Sequence, residues 1–582
     1  MDGGAIYYIA RDPVTGGSNL MAMDTTSGKG RLIRSDILQI APYEPGVLLA
    51  GVGSMGRMKS LSLLDMNTGR LEEKLELTAE YNGFAYDLAT DTAYLWRKGE
   101  IHLSHSFAPP ESAARMPILR EVSDGALLPG GRLAIPYQDG IRIFSTDPAG
   151  LTAVPLKILG HTWELPVEAF SSANPDITFE FIDTYPESTM DLTMHMGSGS
   201  SAADVYVLSS SMYNLDALYE KGYFADLKDS EVIRETLDAM YPYVKDSLAR
   251  DGQIIALPYK STYYVYTYSP QAFEDVGLTE ADVPTTYGEL LDFIGRWAED
   301  YAEEYPSMSL FGQDADIRVY RQIVTQSILE DRIYDCLRKG EPVTYDTPPM
   351  RALLEQLTNT DFSVINALSP APTSDDENIA DERPSNLFQT SVGVGAQAGN
   401  IRLFSYMPLA LFEDTQPVVL ADTQMLLINP YTQNYDTAKA FLEFGASNLA
   451  GEARIELMPE ENEPLRDPGF NVSQMENSIK MMKERLEKAD EADKIVQETL
   501  NILQWEYDNR ELFEWLVSSK SIAALRSLDP YFMLQISNPM LGMGANEEIS
   551  NLIYNRLLDG QISVEQFVRE LDQKLRMIEL ED

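Results

Sequence analysis

The chain has 582 residues, which is too long for one hydrophobic core and predicts roughly two to four domains. Hydrophobic residues make up 44% and charged residues 23%, as is typical of a globular protein. The 91 Asp and Glu residues outnumber the 45 Lys and Arg residues and give a net charge of −46, so the surface repels nucleic-acid phosphates and anionic membranes. These properties argue against a nucleic-acid-binding or disordered protein.

Residues 1–153 contain a repeat. Four turn-entry residues recur at intervals of 41 positions, each at the end of an alternating strand pattern: Asp24, Asp65, Ser106 and Asp147. A period in the low forties with strand–turn–strand content is typical of propeller blades, and the turns resemble those of β-propeller repeats. We therefore predict about four blades of antiparallel sheet. The first lacks room for its innermost strand, and we expect sequence upstream of residue 1.

From about residue 154 the pattern becomes α/β. VPLKILGHTW, ITFEFIDTYP and AADVYVLSSS are predicted strands, and ELPVEAFSSANPD and MYNLDALYEKGYF are predicted helices. Strands that alternate with helices imply a largely parallel sheet, in which ligands bind at the carboxyl ends of the strands. This rule selects the loops at 160–164 and 209–213.

Six segments then follow one another in a fixed order: KILGHTWELPVEAFSSANPDITFEFID, SSAADVYVLSSSMYNLDALYEKGYFADL, DGQIIALPYKSTYYVYTYSPQAFEDVGL, PTTYGELLDFIGRWAE, VVLADTQMLLINPYTQNYDTAKAFLEFGAS and LDGQISVEQFVRELDQKLRM. Together, over roughly residues 154–582, they resemble family 1 of the bacterial extracellular solute-binding proteins. In the last segment, Ser563 and Gln566 form a predicted capping box.

The sequence thus predicts a multidomain protein in which the all-β, propeller-like region (1–153) comes first. The resemblance implies that a two-lobed, periplasmic-binding-protein-like α/β fold with C-terminal helices follows it. Lobe one would comprise about 154–264 and 420–450, and lobe two about 268–417 and much of 451–582. ALPYKSTYYVYTYS and PVVLADTQMLLI are the predicted strands that cross between the lobes. A hinge in these strands would close the cleft on its ligand.

The same resemblance implies a function. It predicts the solute-binding component of an ABC importer, which captures a sugar or oligosaccharide and delivers it to membrane permease subunits without reaction. We expect no cofactor, no metal and no catalytic residue. We also expect a monomer at the cell surface, anchored through a lipid-modified cysteine upstream of this chain. The single cysteine, Cys336, excludes an internal disulfide and is predicted to be a small buried hydrophobe.

The resemblance also implies ligand-binding residues. Hydroxyl and amide groups can satisfy a polyol, and aromatic rings can stack on a sugar. The candidates are His161, Thr162, Trp163, Glu164, Ser209, Ser210, Ser211, Tyr213, Ser261, Thr262, Tyr263, Gln397, Asp422 and Thr423. Each has a structural alternative: the aromatic rings could belong to the core, the serines could cap a helix, and the acids could lie in turns or in solvent.

Two other classes of function stay open. One is a cell-surface enzyme acting on glycans through a propeller domain, and the other is a sensory or structural surface protein. No nucleophile elbow, P-loop, zinc-protease motif or EF-hand loop is present in the sequence. A turnover assay on glycans would identify the enzyme, and the absence of a permease gene beside this one would favour the sensory or structural protein.

Overall fold

The structure is a computed structural model of the chain. It describes residues 5–11, 18–54, 57–97, 100–115, 125–128, 132–137, 140–145, 155–160, 165–174, 177–182, 186, 189–198, 203–305, 308–311, 317–365, 386–394, 404–487, 494–510, 513–538, 540 and 547–581. The chain divides into two compact units. The first comprises Met1–Tyr185, Gly199–Val207 and Thr432–Phe444, and the second comprises Pro186–Ser198, Leu208–Tyr431 and Gly445–Asp582.

The N-terminal part of the first unit consists of four antiparallel sheets that follow one another along the chain. The first contains β1 (Ala5–Arg11), β2 (Ser18–Asp24) and β3 (Gly30–Ser35), and the second contains β4 (Ile37–Glu44), β5 (Val47–Ser54), β6 (Arg57–Asp65) and β7 (Leu71–Tyr81). The third contains β8 (Gly83–Asp87), β9 (Thr92–Arg97), β10 (Glu100–His105) and β11 (Glu111–Arg115). The fourth contains β12 (Ala126–Leu128), β13 (Arg132–Tyr137) and β14 (Gly140–Ser145).

The repeated turn residues close hairpins in these sheets. The Asp24 carboxylate accepts the backbone N–H groups of the second and third residues after it, at 2.9 and 2.7 Å, and Asp65 does the same at 2.8 and 3.0 Å. Gly28 and Gly69 complete the two turns with φ values of 68° and 69°, a conformation that glycine adopts without strain. Ser106 also has positive φ, at the end of β10. These turns therefore have the hydrogen bonds and backbone conformations that their Asp and Gly residues predict.

Apolar clusters join consecutive sheets. Leu20 of the first sheet packs in one cluster with Ile37 and Leu64 of the second. Similar clusters join the second sheet to the third and the third to the fourth. The prediction of repeated antiparallel sheets is confirmed. Asp147 lies outside the described residues, and closure into a propeller stays a prediction.

The rest of the chain is α/β. Its strands are β15 (Leu156–Leu159), β16 (Phe179–Ile182), β17 (Val205–Ser209), β18 (Ala249–Arg250), β19 (Gln253–Ile254), β20 (Leu257–Tyr268), β21 (Phe388–Val394), β22 (Ser405–Met407), β23 (Val419–Ile428), β24 (Leu465–Arg466), β25 (Trp515–Val517) and β26 (Phe532–Leu534). Its helices are α1 (Val167–Ala173), α2 (Thr189–Met196), α3 (Leu215–Glu220), α4 (Glu231–Asp238), α5 (Pro242–Leu248), α6 (Pro270–Asp275), α7 (Tyr287–Asp300), α8 (Ile317–Lys339), α9 (Pro348–Asn359), α10 (Tyr435–Ser447), α11 (Gly451–Leu457), α12 (Val472–Glu487), α13 (Lys494–Asp508), α14 (Ser519–Ser527), α15 (Glu547–Asn551) and α16 (Val564–Glu581).

In the first unit, β15 pairs in parallel with β16 and β17, as the alternating pattern predicted. Helix α1 covers these strands through Phe170, whose ring meets those of Phe179, Phe441 and Phe444 edge to face at 6.1, 5.2 and 5.4 Å. The strands are buried and apolar because helices cover a parallel sheet.

In the second unit, the two predicted crossing segments form a long antiparallel pair. Strand β20 also pairs with β21 and β22, and β23 pairs in parallel with β26. A large apolar core beside this sheet contains Trp297 and Ile294 of α7 together with Val324 of α8. Cys336 is buried, as predicted.

One local prediction is corrected at helix α16. The Ser563 hydroxyl accepts the N–H of Gln566 at 3.2 Å, so half of the predicted capping box forms. The Gln566 side-chain amide, however, donates to Glu570 at 2.8 Å. A carboxylate one turn away is a stronger acceptor and draws the amide along the helix.

Within the described residues, none of the helices combines the length and apolarity needed to cross a membrane.

Candidate functional site

The β20–β23 pair presents polar side chains on one face. Thr262 lies opposite Asp422, and Tyr264 lies opposite Leu420 in the next pair on the same side. Thr262, Tyr264 and Asp422 are half-buried. Side chains alternate between the two faces of a strand, so Ser261 and Thr423 point the other way. These two are fully buried, and their hydroxyls lie 2.8 Å apart.

The serines of the turn after β17 form hydrogen bonds with this strand pair. The Ser209 hydroxyl donates to the Asp422 carboxylate and lies 2.8 Å from the Ser211 hydroxyl. Ser210 is buried; its N–H donates to the Thr423 carbonyl, and its hydroxyl accepts the Thr423 N–H, both at 3.0 Å. Five of the predicted site residues, from segments more than 200 positions apart, therefore lie together.

Two predicted aromatic residues lie in the core. Tyr213 is 2% exposed, its hydroxyl donates to the Pro186 carbonyl at 2.9 Å, and burial raises its pKa to about 12. Tyr263 is fully buried, its hydroxyl donates to the Glu456 carbonyl, and its ring stacks on Phe532 at 4.4 Å. Burial also raises the pKa of Tyr263 well above its usual value. These contacts favour packing roles for both rings.

The first predicted ligand loop, formed by His161, Thr162, Trp163 and Glu164, lies outside the described residues, as does Gln397. Their roles stay predictions. The two histidines of the N-terminal sheets make polar contacts: His102 with Glu100 at 3.0 Å and His105 with Thr92 at 2.8 Å. No group of three or more potential metal ligands occurs in the part of the chain that the structure describes.

A cavity of about 280 Å³ opens beside the same strand pair. Tyr264 and Leu420, which neighbour Thr262 and Asp422 on the strands, both line it. The other lining residues are Val265, Tyr266, Tyr287, Ile323, Gln326, Ser327, Glu330, Asp331, Pro408, Leu409, Val418 and Gln535. The cavity therefore adjoins the polar face along these two strands, and the two together make up the candidate site.

Two adjacent acids of α8 line this cavity. Glu330 Oε1 accepts the side-chain amides of Gln535 at 3.0 Å and Asn538 at 3.4 Å. Burial and, to a smaller extent, the nearby Asp422 carboxylate raise the pKa of Glu330 to about 7, against the opposing effect of the Gln535 hydrogen bond. Asp331 Oδ2 accepts the Tyr287 hydroxyl at 2.8 Å, and burial raises its pKa well above the usual range.

Neither acid forms an ion pair with a Lys or Arg among the described residues. Sequence reasoning missed both, because the chain contains 91 acids and a neighbouring pair is unremarkable in it. The usable signal was their position on α8 between two apolar pairs, Ile328-Leu329 and Ile333-Tyr334. A charged pair in such a stretch is expected to lie in a pocket or a polar network.

The family model for bacterial extracellular solute-binding proteins matches residues 155–315. No curated protein matches the chain. Among solved structures, maltose-bound MalE3 of T. maritima is 16% identical, with a TM-score of 0.44 over 73% of this chain and 100% of that one. An ABC transporter solute-binding protein of Thermotoga lettingae TMO, bound with alpha-D-tagatose, is 14% identical, with a TM-score of 0.42 over 73% and 99%.

A third similar structure, an ABC substrate-binding protein of Listeria monocytogenes in complex with cycloalternan, is 13% identical, with a TM-score of 0.42 over 73% of this chain and 98% of that one. The family match begins at residue 155, where the ordered segments of the sequence begin to resemble this family. The predicted resemblance is confirmed: over residues 155–315 the chain carries the sequence pattern of a bacterial extracellular solute-binding protein.

Proposed function

We propose that this chain is the extracellular solute-binding component of an ABC importer. The match of residues 155–315 to the family model is the observation that carries the proposal. In this role the protein captures a solute outside the cell and presents it to permease subunits, and no bond of the solute is broken.

The proposed solute is a small carbohydrate bound on the polar face of the β20–β23 pair. Thr262 and Asp422 lie side by side there, the Ser209 hydroxyl donates to the Asp422 carboxylate, and the Ser211 hydroxyl lies 2.8 Å from that of Ser209. A carboxylate accepts hydrogen bonds and hydroxyls both donate and accept them, which suits a polyol. Tyr264 offers a half-buried ring for stacking.

Binding is proposed to close two lobes about β20 and β23, with lobe one at about 154–264 and 420–450 and lobe two at about 268–417 and much of 451–582. A ligand held by both lobes binds the closed form better and so raises its population. The first predicted loop (161–164) and Gln397 belong to this proposal, as do the propeller-like region (1–153) and a lipid anchor. The family resemblance supports the loop, Gln397 and the anchor, and the spacing of 41 residues between turn residues supports the propeller-like region.

Titration calorimetry against oligosaccharides, short peptides and polyamines tests the proposed function. We expect saturable binding of at least one carbohydrate, which mass spectrometry then recovers with its mass unchanged. Binding of peptides alone would refute the carbohydrate while leaving solute capture in place. A carbohydrate that is cleaved or transferred during the titration would instead identify a glycan-active enzyme.

A further inference from the structure

The cavity beside β20 and β23 is lined by acidic side chains but not by basic ones. Two carboxyl side chains, Glu330 and Asp331, line it, whereas none of its lining residues is Lys, Arg or His. The guanidinium of Arg332, on the same helix, donates to the Thr344 carbonyl at 3.0 Å and to Asp335 at 2.7 Å. That of Arg338 donates to the Gln416 and Pro417 carbonyls at 3.2 and 3.1 Å. Both guanidinium groups therefore make these hydrogen bonds outside the cavity, and the charge of Arg338 lowers the pKa of Asp331 only against the larger opposing effect of burial.

The cavity also leaves an acceptor available. Both amide donors to Glu330 bind the same oxygen, Oε1, and its other oxygen has no hydrogen-bond partner among the described residues. The rings of Tyr264, Tyr266 and Tyr287 line the same space. A carboxylate flanked by aromatic rings is the chemistry that recognises an organic cation, because both the charge and the ring faces attract it.

We propose that this cavity binds the protonated amino group of the solute, with Glu330 as its counter-ion and the tyrosine rings as its walls. The inference rests on the proposed solute-binding function and names the chemical class of its solute. A buried acid without a cation is costly to ionise, whereas an ammonium group at the site supplies the missing charge. A neutral alcohol of the same size supplies none.

The size of the cavity limits what enters it. At about 280 Å³ it lies just below the range of pockets that enclose a whole drug-sized ligand. It therefore takes the amine-bearing end of a solute. Since Tyr264 and Leu420 lead along the strands to Thr262 and Asp422, the rest of the solute would lie on the hydroxyl-rich face. An amino sugar and a free alkyl diamine both carry the required group.

Matched probe pairs test the proposal by titration calorimetry at about pH 8, where Glu330 is ionised. Glucosamine is compared with glucose, and putrescine with 1,4-butanediol. We expect at least one amine to bind on the order of tenfold or more tightly than its neutral partner. Glu330→Gln should remove this preference, whereas Glu355→Gln, which makes the same charge change on an exposed residue of α9, should leave it intact.

The probe pairs also separate this proposal from the function on which it rests. Preference for glucosamine over glucose supports both. Preference for putrescine without any sugar binding supports the amine site and refutes the carbohydrate. Equal binding of glucose and glucosamine, together with no preference for putrescine over 1,4-butanediol, overturns the amine site and leaves sugar capture standing. Failure of both amines to bind, or equal amine affinity in the Glu330→Gln variant, also overturns the amine site.

A second measurement needs no variant. The amine affinity of the natural chain should fall as the pH is lowered through about 7, because protonation of Glu330 removes the counter-ion. The groups facing Glu330 are Asp422 of β23, Tyr264 of β20, Gln535 and Asn538 after β26, Tyr345 before α9 and Tyr334 of its own helix. Asp331, which faces Tyr287 of α7, has a pKa raised well above the usual range by burial. An affinity that is constant from about pH 8 to pH 5.5 would overturn the proposal.

Discussion

Substitutions at two neighbouring residues of β20, Ser261 and Thr262, should distinguish effects on solute binding from effects on packing. Thr262→Ala removes a half-buried hydroxyl beside Asp422, and we expect it to weaken solute binding by about 1 kcal/mol with little change in melting temperature. Ser261→Ala leaves the buried Thr423 hydroxyl without its 2.8 Å partner, so it should lower the free energy of unfolding by about 1–3 kcal/mol at unchanged affinity. Calorimetry and thermal melts on both variants measure the two effects.

The opposite pattern would exclude the polar face as the binding surface. If Ser261→Ala weakened binding and Thr262→Ala only destabilised the fold, the solute would have to contact the face that is buried here.

Glu330 should make the stability of the protein depend on pH. Its pKa is raised to about 7 in the folded chain from an ordinary value near 4.5, chiefly by burial. A raised carboxyl pKa means that its contribution to stability is complete below about pH 4.5 and is lost as the pH rises through about 7. Glu330→Gln removes this pH-dependent loss. Between about pH 4.5 and pH 8, the free energy of unfolding should therefore fall by about 3 kcal/mol less in the variant than in the natural chain. Urea titrations at several pH values measure the difference, and a difference independent of pH would contradict the raised pKa.

Part of the candidate site follows from the sequence and part does not. Ser209 was found because it follows a predicted parallel strand at its carboxyl end, and Asp422 was found because it lies in the second crossing segment that the family resemblance implies. Glu330 and Gln535 were not found, because they are 205 positions apart and only the packing of α8 beside β26 brings them within 3.0 Å. The sequence left open that the candidate aromatic rings belong to the core, and Tyr263 lies there together with Tyr266 and Tyr268 of the same strand.

At the scale of the element, helix α7 begins with a complete capping box. Thr286 accepts the N–H of Glu289 at 3.1 Å, and the Glu289 carboxylate accepts the Thr286 N–H in return at 3.3 Å. Thr286→Ala should therefore lower the free energy of unfolding by about 1 kcal/mol. Thr358→Ala is the matched control, since that hydroxyl only donates to a carbonyl of its own helix, at 3.0 Å. We expect the control to change stability by less than about 0.5 kcal/mol in urea titrations. Equal effects would mean that the cap contributes nothing.

Elements governed by local chemistry were predicted well. The Asp24 and Asp65 hairpins follow from their turn residues, and the parallel strands after residue 154 follow from short buried apolar runs. The two long strands β20 and β23 coincide with the crossing segments that the family resemblance implies. The second hydrogen bond of the predicted capping box, between the Gln566 side chain and the Ser563 backbone, does not form because the Gln566 amide donates to the Glu570 carboxylate instead. Pairing between sheets depends on contacts distant in sequence, so closure of a propeller does not follow from the spacing of 41.

At the scale of the whole molecule, the net charge of −46 bears on the class of solute. A strongly negative surface attracts cations over about a Debye length, roughly 10 Å at 0.1 M salt, and repels anions. Association of an amine-bearing solute would therefore be faster at low ionic strength than that of its neutral counterpart. The charge of the chain and the acidic cavity favour the same class of ligand.

The same charge should also make the folded state sensitive to salt. With 91 acids and 45 bases, like charges are closer together in the compact state than in the unfolded chain, and their repulsion lowers the free energy of unfolding. Raising sodium chloride from about 20 mM to about 300 mM shortens the Debye length and should raise the melting temperature by an amount equivalent to on the order of 1 kcal/mol. The increase should shrink at about pH 4.5, where the carboxyl groups begin to be protonated and the net charge falls. Scanning calorimetry measures the melting temperature at both pH values, and the series at about pH 4.5 is the control for the series at neutral pH. A melting temperature that falls with salt at neutral pH would show that attractive ion pairs outweigh the excess of negative charge.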